Sequence, residues 1–414
     1  MAHSLVDADR SVPALIVKID RYPLHHGGLG AIRSLGRLGV PVYAITEHRW
    51  TPAALSRYLS GRFVWPTTGL EDPAWLVQGL IDIQRRIGRP TVLVPTDDEA
   101  AVLIAEHAAE LRDGFLFPPV EATLPRRLAS KRGLRELCIE HGIATPRAYF
   151  PTDSTELAQV AVEAQFPLVA KNLEAFERHR APAVGGTTRV DDAASLHELA
   201  RSWGDRFSVI LQDYLPTDEA EDWIVHVYCD GSADCLVQFT GVKVRSWPPH
   251  AGVTTCAYSI DNAELADQTS RLMKSIGFQG IADLDWRYDR RDGRYYLLDF
   301  NPRVGAQFRL FENEAGVDVV RALHLGLTGR AVPVAPPVGG RRFIVENLDL
   351  PALQAYRHST YSTPSVPGRA SRTEFGWLAK DDLQPFMAML GWSSVPAARI
   401  LGRLVHSHNG STTR

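Results

Sequence analysis

Cysteine, charge of one sign and long apolar runs are all in short supply. Only four cysteines occur in 414 residues, Cys138, Cys229, Cys235 and Cys256. With neither a C-x-x-C pair nor regular spacing, they argue against a disulfide framework and against a zinc site. Such usage fits a reducing cytoplasm. The 45 Lys and Arg nearly balance the 48 Asp and Glu, for a formal net charge of -3, so no global basic field draws a nucleic-acid backbone, and nucleic acid is not expected as a main partner. Met1 to Ser11 carries two acids, and the first apolar stretch, Ala14 to Val17, is far too short to span a bilayer. A soluble, unexported chain without a membrane partner is expected. No G-x-x-x-x-G-K run occurs, which excludes a P-loop nucleotidase. Neither an internal repeat nor a low-complexity tract is present.

What is present is core-forming material: 45% hydrophobic and 22% charged residues. At roughly 100 to 200 residues per domain, two to four packed units are expected. Ala14 to Ile19, Leu29 to Leu38, Val42 to Thr46, Thr91 to Pro95 and Asp97 to Leu111 read as alternating strands and helices, which predicts a parallel sheet with helices on both faces over residues 1–120. Ser130 caps a helix that runs through His141 and stops at Gly142. From Phe166 onward strands dominate, at Phe166 to Lys171, Ser208 to Leu211, Trp223 to Tyr228, Cys235 to Val244, Ala282 to Tyr288 and Arg294 to Phe300, suggesting α+β architecture with antiparallel sheet. Pro333 to Pro337 with Gly339 and Gly340 reads as a linker, and the tail beyond it keeps apolar anchors in Trp377, Phe386 and Trp392.

Two motifs carry chemistry. His25-His26-Gly27-Gly28-Leu29-Gly30 lies between a predicted strand and helix, where glycine lets amides approach a phosphate. Arg33 stands where a dinucleotide fingerprint wants its third glycine, although Glu47 sits near the ribose-acid position. The match is partial, and a tight turn in an open sheet is the better reading; the two histidines read as loop polarity. The stronger motif is Ala282 to Arg303. Two β-rich runs flank Arg291-Asp292-Gly293, and a three-residue hairpin loop wants a left-handed residue where Gly293 stands. Closing Arg290 against Arg294 sets Asp285 across from Asp299, and alternation puts Asn301 on the same face. Facing carboxylates repel by about 0.2–1 kcal/mol, so something neutralises them. An oxygen-only set suits a hard cation such as Mg²⁺; plain surface pairing with Arg287, Arg294 or Lys243 is the alternative.

With this hairpin in view, the chain resembles the ATP-grasp superfamily, and within it the carboxylate-amine ligases of the D-aspartate-ligase-like kind, over about residues 20–330. The resemblance implies an ATP-grasp fold, α/β and α+β, with a Rossmann-like N-terminal domain at 1–120. It implies an ATP-grasp domain at 121–335, divided into a lid at about 150–215 and a metal-binding part at about 216–335, and a C-terminal extension at 336–414 packed on the core. Metal ligands would be Asp285, Asp299 and Asn301, and Arg303 would contact the transferring phosphate or the acyl group. Lys131 and Lys171 would hold ATP phosphates, and Gly185, Gly186 and Thr187 would belong to a loop covering them, preceded here by a long charged stretch from Asn172 to Pro182. Gln212, Asp213, Tyr214 and Leu215 would form the adenine hinge, with Asp222 on the ribose and Asp218, Glu219 and Glu221 as neighbouring candidates. Lys243 and Arg245 would share a face on the substrate side. In the D-alanine ligase branch an arginine stands where this chain has Asp283, so its substrate does not transfer.

The reaction so implied uses ATP and Mg²⁺, or Mn²⁺ in its place, to activate a small carboxylate as an acyl phosphate, which an amine then attacks. Both substrates are small molecules, and a homodimer is compatible. His250 is a conceivable base. The rivals are carboxylation or thioester formation on the same fold, a nucleotide-binding regulator without turnover, and a dinucleotide dehydrogenase.

Overall fold

A computed structural model describes residues 6–173, 182–204, 207–250, 252–357, 364–366 and 368–393; most of the charged stretch from Asn172 to Pro182 lies outside the described residues. The first unit comprises β1 (Ala14–Val17), α1 (His26–Gly36), β2 (Val42–Thr46), β3 (Leu59–Val64), α2 (Pro73–Ile87), β4 (Thr91–Pro95), α3 (Asp98–Glu106), α4 (Ala108–Leu111) and β5 (Phe115–Leu116). Its sheet is parallel, in the order β3-β2-β1-β4-β5. Alternation along β1 explains the two-sided core. Ala14 and Ile16 pack with Leu29, Ile32 and Leu35 of α1, whereas Leu15 and Val17 pack with Leu76 and Leu80 of α2 and Leu103 of α3. The strand order reverses between β1 and β4, so a crevice opens at their carboxyl ends. The helix expected over Asp97 to Leu111 is broken at His107 into α3 and α4.

Next come α5 (Leu124–Ala129), α6 (Lys131–Glu140), β6 (Ala148–Tyr149), α7 (Ser154–Glu163), β7 (Leu168–Asn172), β8 (Thr188–Val190), α8 (Ala193–Ala200) and β9 (Val209–Asp213). The four strands pair antiparallel in the order β6-β9-β7-β8. Leu157 and Val160 of α7 and Leu196 of α8 cover one face through Leu168, Ala170 and Leu211. Ser130 caps α6 by accepting from the Gly133 amide, and Gly142 takes a left-handed φ of 66° just past its end, as the sequence predicts.

The rest builds a seven-stranded sheet from β10 (Ala220–Cys229), β11 (Cys235–Trp247), β12 (Val253–Ser259), α9 (Ala263–Ile276), β13 (Gly280–Asp289), β14 (Arg294–Asn301), α10 (Val319–Leu327), β15 (Arg341–Ile344), α11 (Glu346–Arg357) and β16 (Arg372–Phe375). The order is β14-β13-β10-β11-β12-β15-β16. One face packs on α5, α6 and α9, and the other on α10 and the first unit. The stretch read as a linker is tied to the core instead. The Val338 amide donates to the Glu312 carbonyl and the Gly340 amide to Ser259, and β15 and β16 then extend the sheet.

Candidate active site

The acidic hairpin forms with a register that differs from expectation at its tip. Asp289, not Arg290, pairs with Arg294, so residues 290–293 close the loop, with Gly293 left-handed at φ 69°. The extra residue is absorbed at Leu298, where pairing jumps from Trp286–Leu297 to Asp285–Asp299. This bulge restores the register, and Asp283 comes to face Asn301. The facing acids are neutralised. Lys243 Nζ lies 2.7 Å from Asp285 Oδ1, and Lys131 Nζ lies 2.5 Å from Asp299 Oδ1. The two carboxyls are driven apart: burial and the neighbouring acids raise Asp285 against Lys243, whereas Lys131 and Lys171 overcome burial and lower Asp299.

Arg303 is the third cation at the patch. Its guanidinium donates to Asn301 Oδ1 at 2.9 Å, Asp98 Oδ1 at 3.2 Å and Asp283 Oδ2 at 3.3 Å. Behind it, His226 Nε2 sits 3.1 Å from the buried Asp283. Burial opposes the Asp283 charge, but His226 and Arg303 hold its carboxyl at about 2. Gly305 is forced here, because a Cβ would lie 2.3 Å from the His226 ring and 2.6 Å from Asp283. Asp285, Asp299 and Asn301 together offer oxygen donors that fit a hard divalent ion. Among the described residues no three His, Cys, Asp or Glu side chains complete a cage, so such an ion would need further oxygens from a bound phosphate.

Two clefts meet at this hairpin. The first, of about 140 Å³, is lined by Lys171, Thr187, Gln212, Asp213, Leu215, Asp222, His250 and Arg287, among others. Alternation along β7 sends Leu168 and Ala170 into the core and Val169 and Lys171 into the cleft. Burial, then the nearby Lys131 charge, lowers the Lys171 ammonium to about 8. Asp222 pairs with Arg287 at 2.7 Å, which with His250 holds its carboxyl below the usual range despite burial. Of the neighbouring acids, Glu221 is taken by Arg290 at 2.7 Å and Glu219 lies 3.5 Å from Arg291; neither they nor the exposed Asp218 line the cleft. Tyr214 turns away, its ring 4.7 Å from Arg189. Gly185 and Gly186 stand in open space. Asn172, unremarked in the sequence, clamps the base of their loop through both the amide and the carbonyl of Val184.

The second cleft, of about 470 Å³, lies between the hairpin and the crevice of the first sheet. Lys18, Asp20, His25, His26, Thr96, Asp97 and Asp98 line it opposite Asp283, Asn301 and Arg303. Of the residues that the first unit contributes, reasoning from the sequence missed all but the two histidines, and it took those for loop polarity. The reversal of strand order after β1 and β4 was the available clue. His25 caps α1 by accepting from the Gly28 amide at 3.2 Å. Burial, Lys18 and His26 push its imidazole well below the usual range, and burial takes His26 to about 4. The neighbouring glycines serve packing: a Cβ on Gly27 would lie 2.9 Å from the Ala306 backbone. Glu47, the dinucleotide-type acid, is ion-paired with Lys18.

Arg245 and His250 also fall elsewhere than expected. A bulge in β11 separates Lys243 from Arg245. Arg245 makes a bidentate pair with Asp349 of α11, at 2.9 and 2.8 Å, and lines neither of these two clefts. His250 packs on Tyr356 with ring centroids 5.3 Å apart, near Asp222 and away from the second cleft.

No family model matches the chain. It is 24% identical, over 52% of its length, to D-aspartate ligase of Enterococcus faecium, of which the match covers 53%. It is 23% identical to the carbamoyl phosphate synthase large chain of Deinococcus deserti, over 55% of this chain and 22% of that one. The chain thus spans about half, or less, of the length of these curated relatives. Among solved structures, the L-amino acid ligase from Bacillus licheniformis superposes with a TM-score of 0.58 at 16% identity, covering 80% of this chain and 76% of that one. N5-carboxyaminoimidazole synthetase from Staphylococcus aureus, complexed with ADP, gives 0.60 at 12% identity, covering 82% and 83%. The fold is that of the ATP-grasp proteins, and the resemblance read from the sequence is borne out. Among the described residues no helix is long and apolar enough to cross a membrane.

Proposed function

We propose that the chain is an ATP-dependent ligase that joins a small carboxylate to an amine through an acyl phosphate, releasing ADP and phosphate. The observation that carries this reading is that the two clefts share Lys243, Gly252, Asp285 and Asp299 as a common wall. A nucleotide in the first cleft would direct its terminal phosphate at this wall, and a carboxylate in the second would meet it there. In this reading Gln212, Asp213 and Leu215 border the adenine, Asp222 accepts the ribose hydroxyls, and Lys131 and Lys171 meet the α- and β-phosphates as point charges. Mg²⁺ held by Asp285, Asp299 and Asn301 supplies charge neutralisation on the phosphate oxygens when bound.

The carboxylate oxygen attacks the γ-phosphorus and ADP departs. The amine nitrogen then attacks the acyl carbon, phosphate leaves, and the amine proton passes to the departing phosphate or to water. Negative charge builds on oxygen in both steps. Lys243 and Arg303, fixed by their ion pairs, therefore act by preorganised electrostatics, with no protein nucleophile. His25, neutral and accepting at Nδ1 from Gly28, would in this reading offer its Nε2–H to the carboxylate in the second cleft, which it lines.

An ADP-release assay over a matrix of amino acids and other small acids and amines, with mass detection of the product, tests this. An amide product and amine-dependent ADP release are expected. Stimulation by bicarbonate or a thiol and by no amine would move the reaction to carboxylation or thioester formation, and binding of ATP without turnover would make the chain a regulator.

A further inference from the structure

Cys229 ends β10 and Cys235 begins β11, and the two are direct ladder partners across the hairpin. Both are free thiols, with Sγ atoms 3.1 Å apart. Spacing in the sequence carries no hint of this; strand pairing creates it. Partners in an antiparallel ladder have Cα atoms about 4.5–5.5 Å apart, inside the span of about 4.4–6.8 Å that a disulfide accepts. The sulfurs therefore need to close by only about 1 Å to reach bonding distance. The turn between them is held in place: the Asp230 carboxylate accepts from the Ser232 and Asp234 amides at 2.8 and 3.0 Å, and the Asp230 amide donates to the Asp234 carbonyl at 3.0 Å.

The two thiols are unlike. Cys229 is buried at 1% exposure, while Cys235 is partly open to solvent. Hydrogen bonds from Cys229 and from Ser270 of α9 lower the Cys235 thiol, while its partner's is driven up. Cys235 is thus the sulfur that reacts first.

We propose that Cys229 and Cys235 are a reversible dithiol–disulfide modification site, oxidised by a low-molecular-weight disulfide. The site lies about 23 Å along β10 from Asp222, at about 3.3 Å per residue, and does not depend on the ligase reading. The Cys235 thiolate attacks one sulfur of the small disulfide, whose S–S bond breaks and releases one thiolate. Cys229 then loses its proton and attacks Cys235 Sγ, expelling the second thiolate. Two electrons pass from the protein dithiol to the small disulfide, and the two protein protons end on its two thiols.

The test is incubation of the full chain, folded and reduced, with oxidised glutathione, followed by acid quench, alkylation, intact mass and peptide mapping. Expected are loss of two thiols, a mass lower by two hydrogens, a cross-link mapping to Cys229 and Cys235, and full reversal by dithiothreitol, with Cys138 and Cys256 still alkylated. Cys229→Ser should trap a Cys235–glutathione adduct that the wild type resolves, and Cys235→Ser should slow glutathione uptake by about tenfold or more. Retention of all four thiols by the wild type, a stable glutathione adduct on it, or a cross-link to another cysteine would each overturn the proposal.

Discussion

Lys171 sits in a cleft wall with its ammonium lowered to about 8 by burial and by Lys131. It is charged below that pH and neutral above it, and a phosphate contact needs the charge. The value of kcat/KM for ATP should therefore fall as pH rises through about 8, while the limb in kcat should lie higher, because bound phosphates favour the ammonium. A profile flat to about pH 10 would remove Lys171 from the phosphate site. The acidic patch has a sharper test. Asp299 and Asn301 are held by Lys131 and Arg303, at 2.5 and 2.9 Å, and neither is part of the apolar core. Asp299→Asn and Asn301→Ala should each cut ADP formation by about 10²-fold or more while circular dichroism and the melting profile stay near those of the wild type. Turnover like that of the wild type in either variant would refute the ligand assignment.

At the scale of elements, the acidic hairpin was legible because strand alternation is local, and even its one slip at the tip was cancelled by the bulge at Leu298. Arg245 was not legible, because its partner Asp349 comes from α11 after the whole hairpin has been built. Alternation predicted a shared face with Lys243, and the two do border one small cleft beside Asp222 and His250, but the bulge in β11 and that distant carboxylate leave Arg245 outside the two clefts at the hairpin. Likewise β3, an edge strand of Leu-Ser-Gly-Arg-Phe-Val, carries too little alternation to announce itself. The Arg245–Asp349 pair also receives the Thr255 hydroxyl at 2.9 Å, so it fastens α11 to β11 and β12. Removing either partner leaves a largely buried charge, and Asp349→Ala should cost about 3 kcal/mol of stability. A double-mutant cycle with Arg245→Ala should show a coupling of about 1 kcal/mol or more by denaturant titration. Additive effects would mean that the pair does not anchor the helix.

Across the whole molecule, the residues of the two clefts come from three sheets. Lys18 and Asp98 follow strands of the parallel sheet, Lys171 and Gln212 lie in the four-stranded sheet, and Lys243, Asp285 and Asp299 lie in the seven-stranded one. That convergence explains why the hairpin, the lysines and the hinge could be read ahead of the fold while the N-terminal wall of the second cleft could not: a crevice at a strand-order reversal has no spacing in sequence. It also means that a ligand spanning the clefts touches every layer, so binding should stabilise the molecule as a unit. Saturation at a hundredfold excess over Kd is worth about 2.7 kcal/mol, which for a chain of this size raises Tm by about 3 °C. ATP with Mg²⁺ should produce that shift. Adding a chelator should remove most of it, because Asp285 and Asp299 would then face the triphosphate with no charge between them but the lysines. NAD should produce no shift, since Glu47 is already bound to Lys18 and the space beside Gly27 and Gly30 is taken by Ala306, Phe308 and Arg309. A shift with NAD equal to that with ATP, or a shift with ATP indifferent to the chelator, would count against the assignment of these clefts.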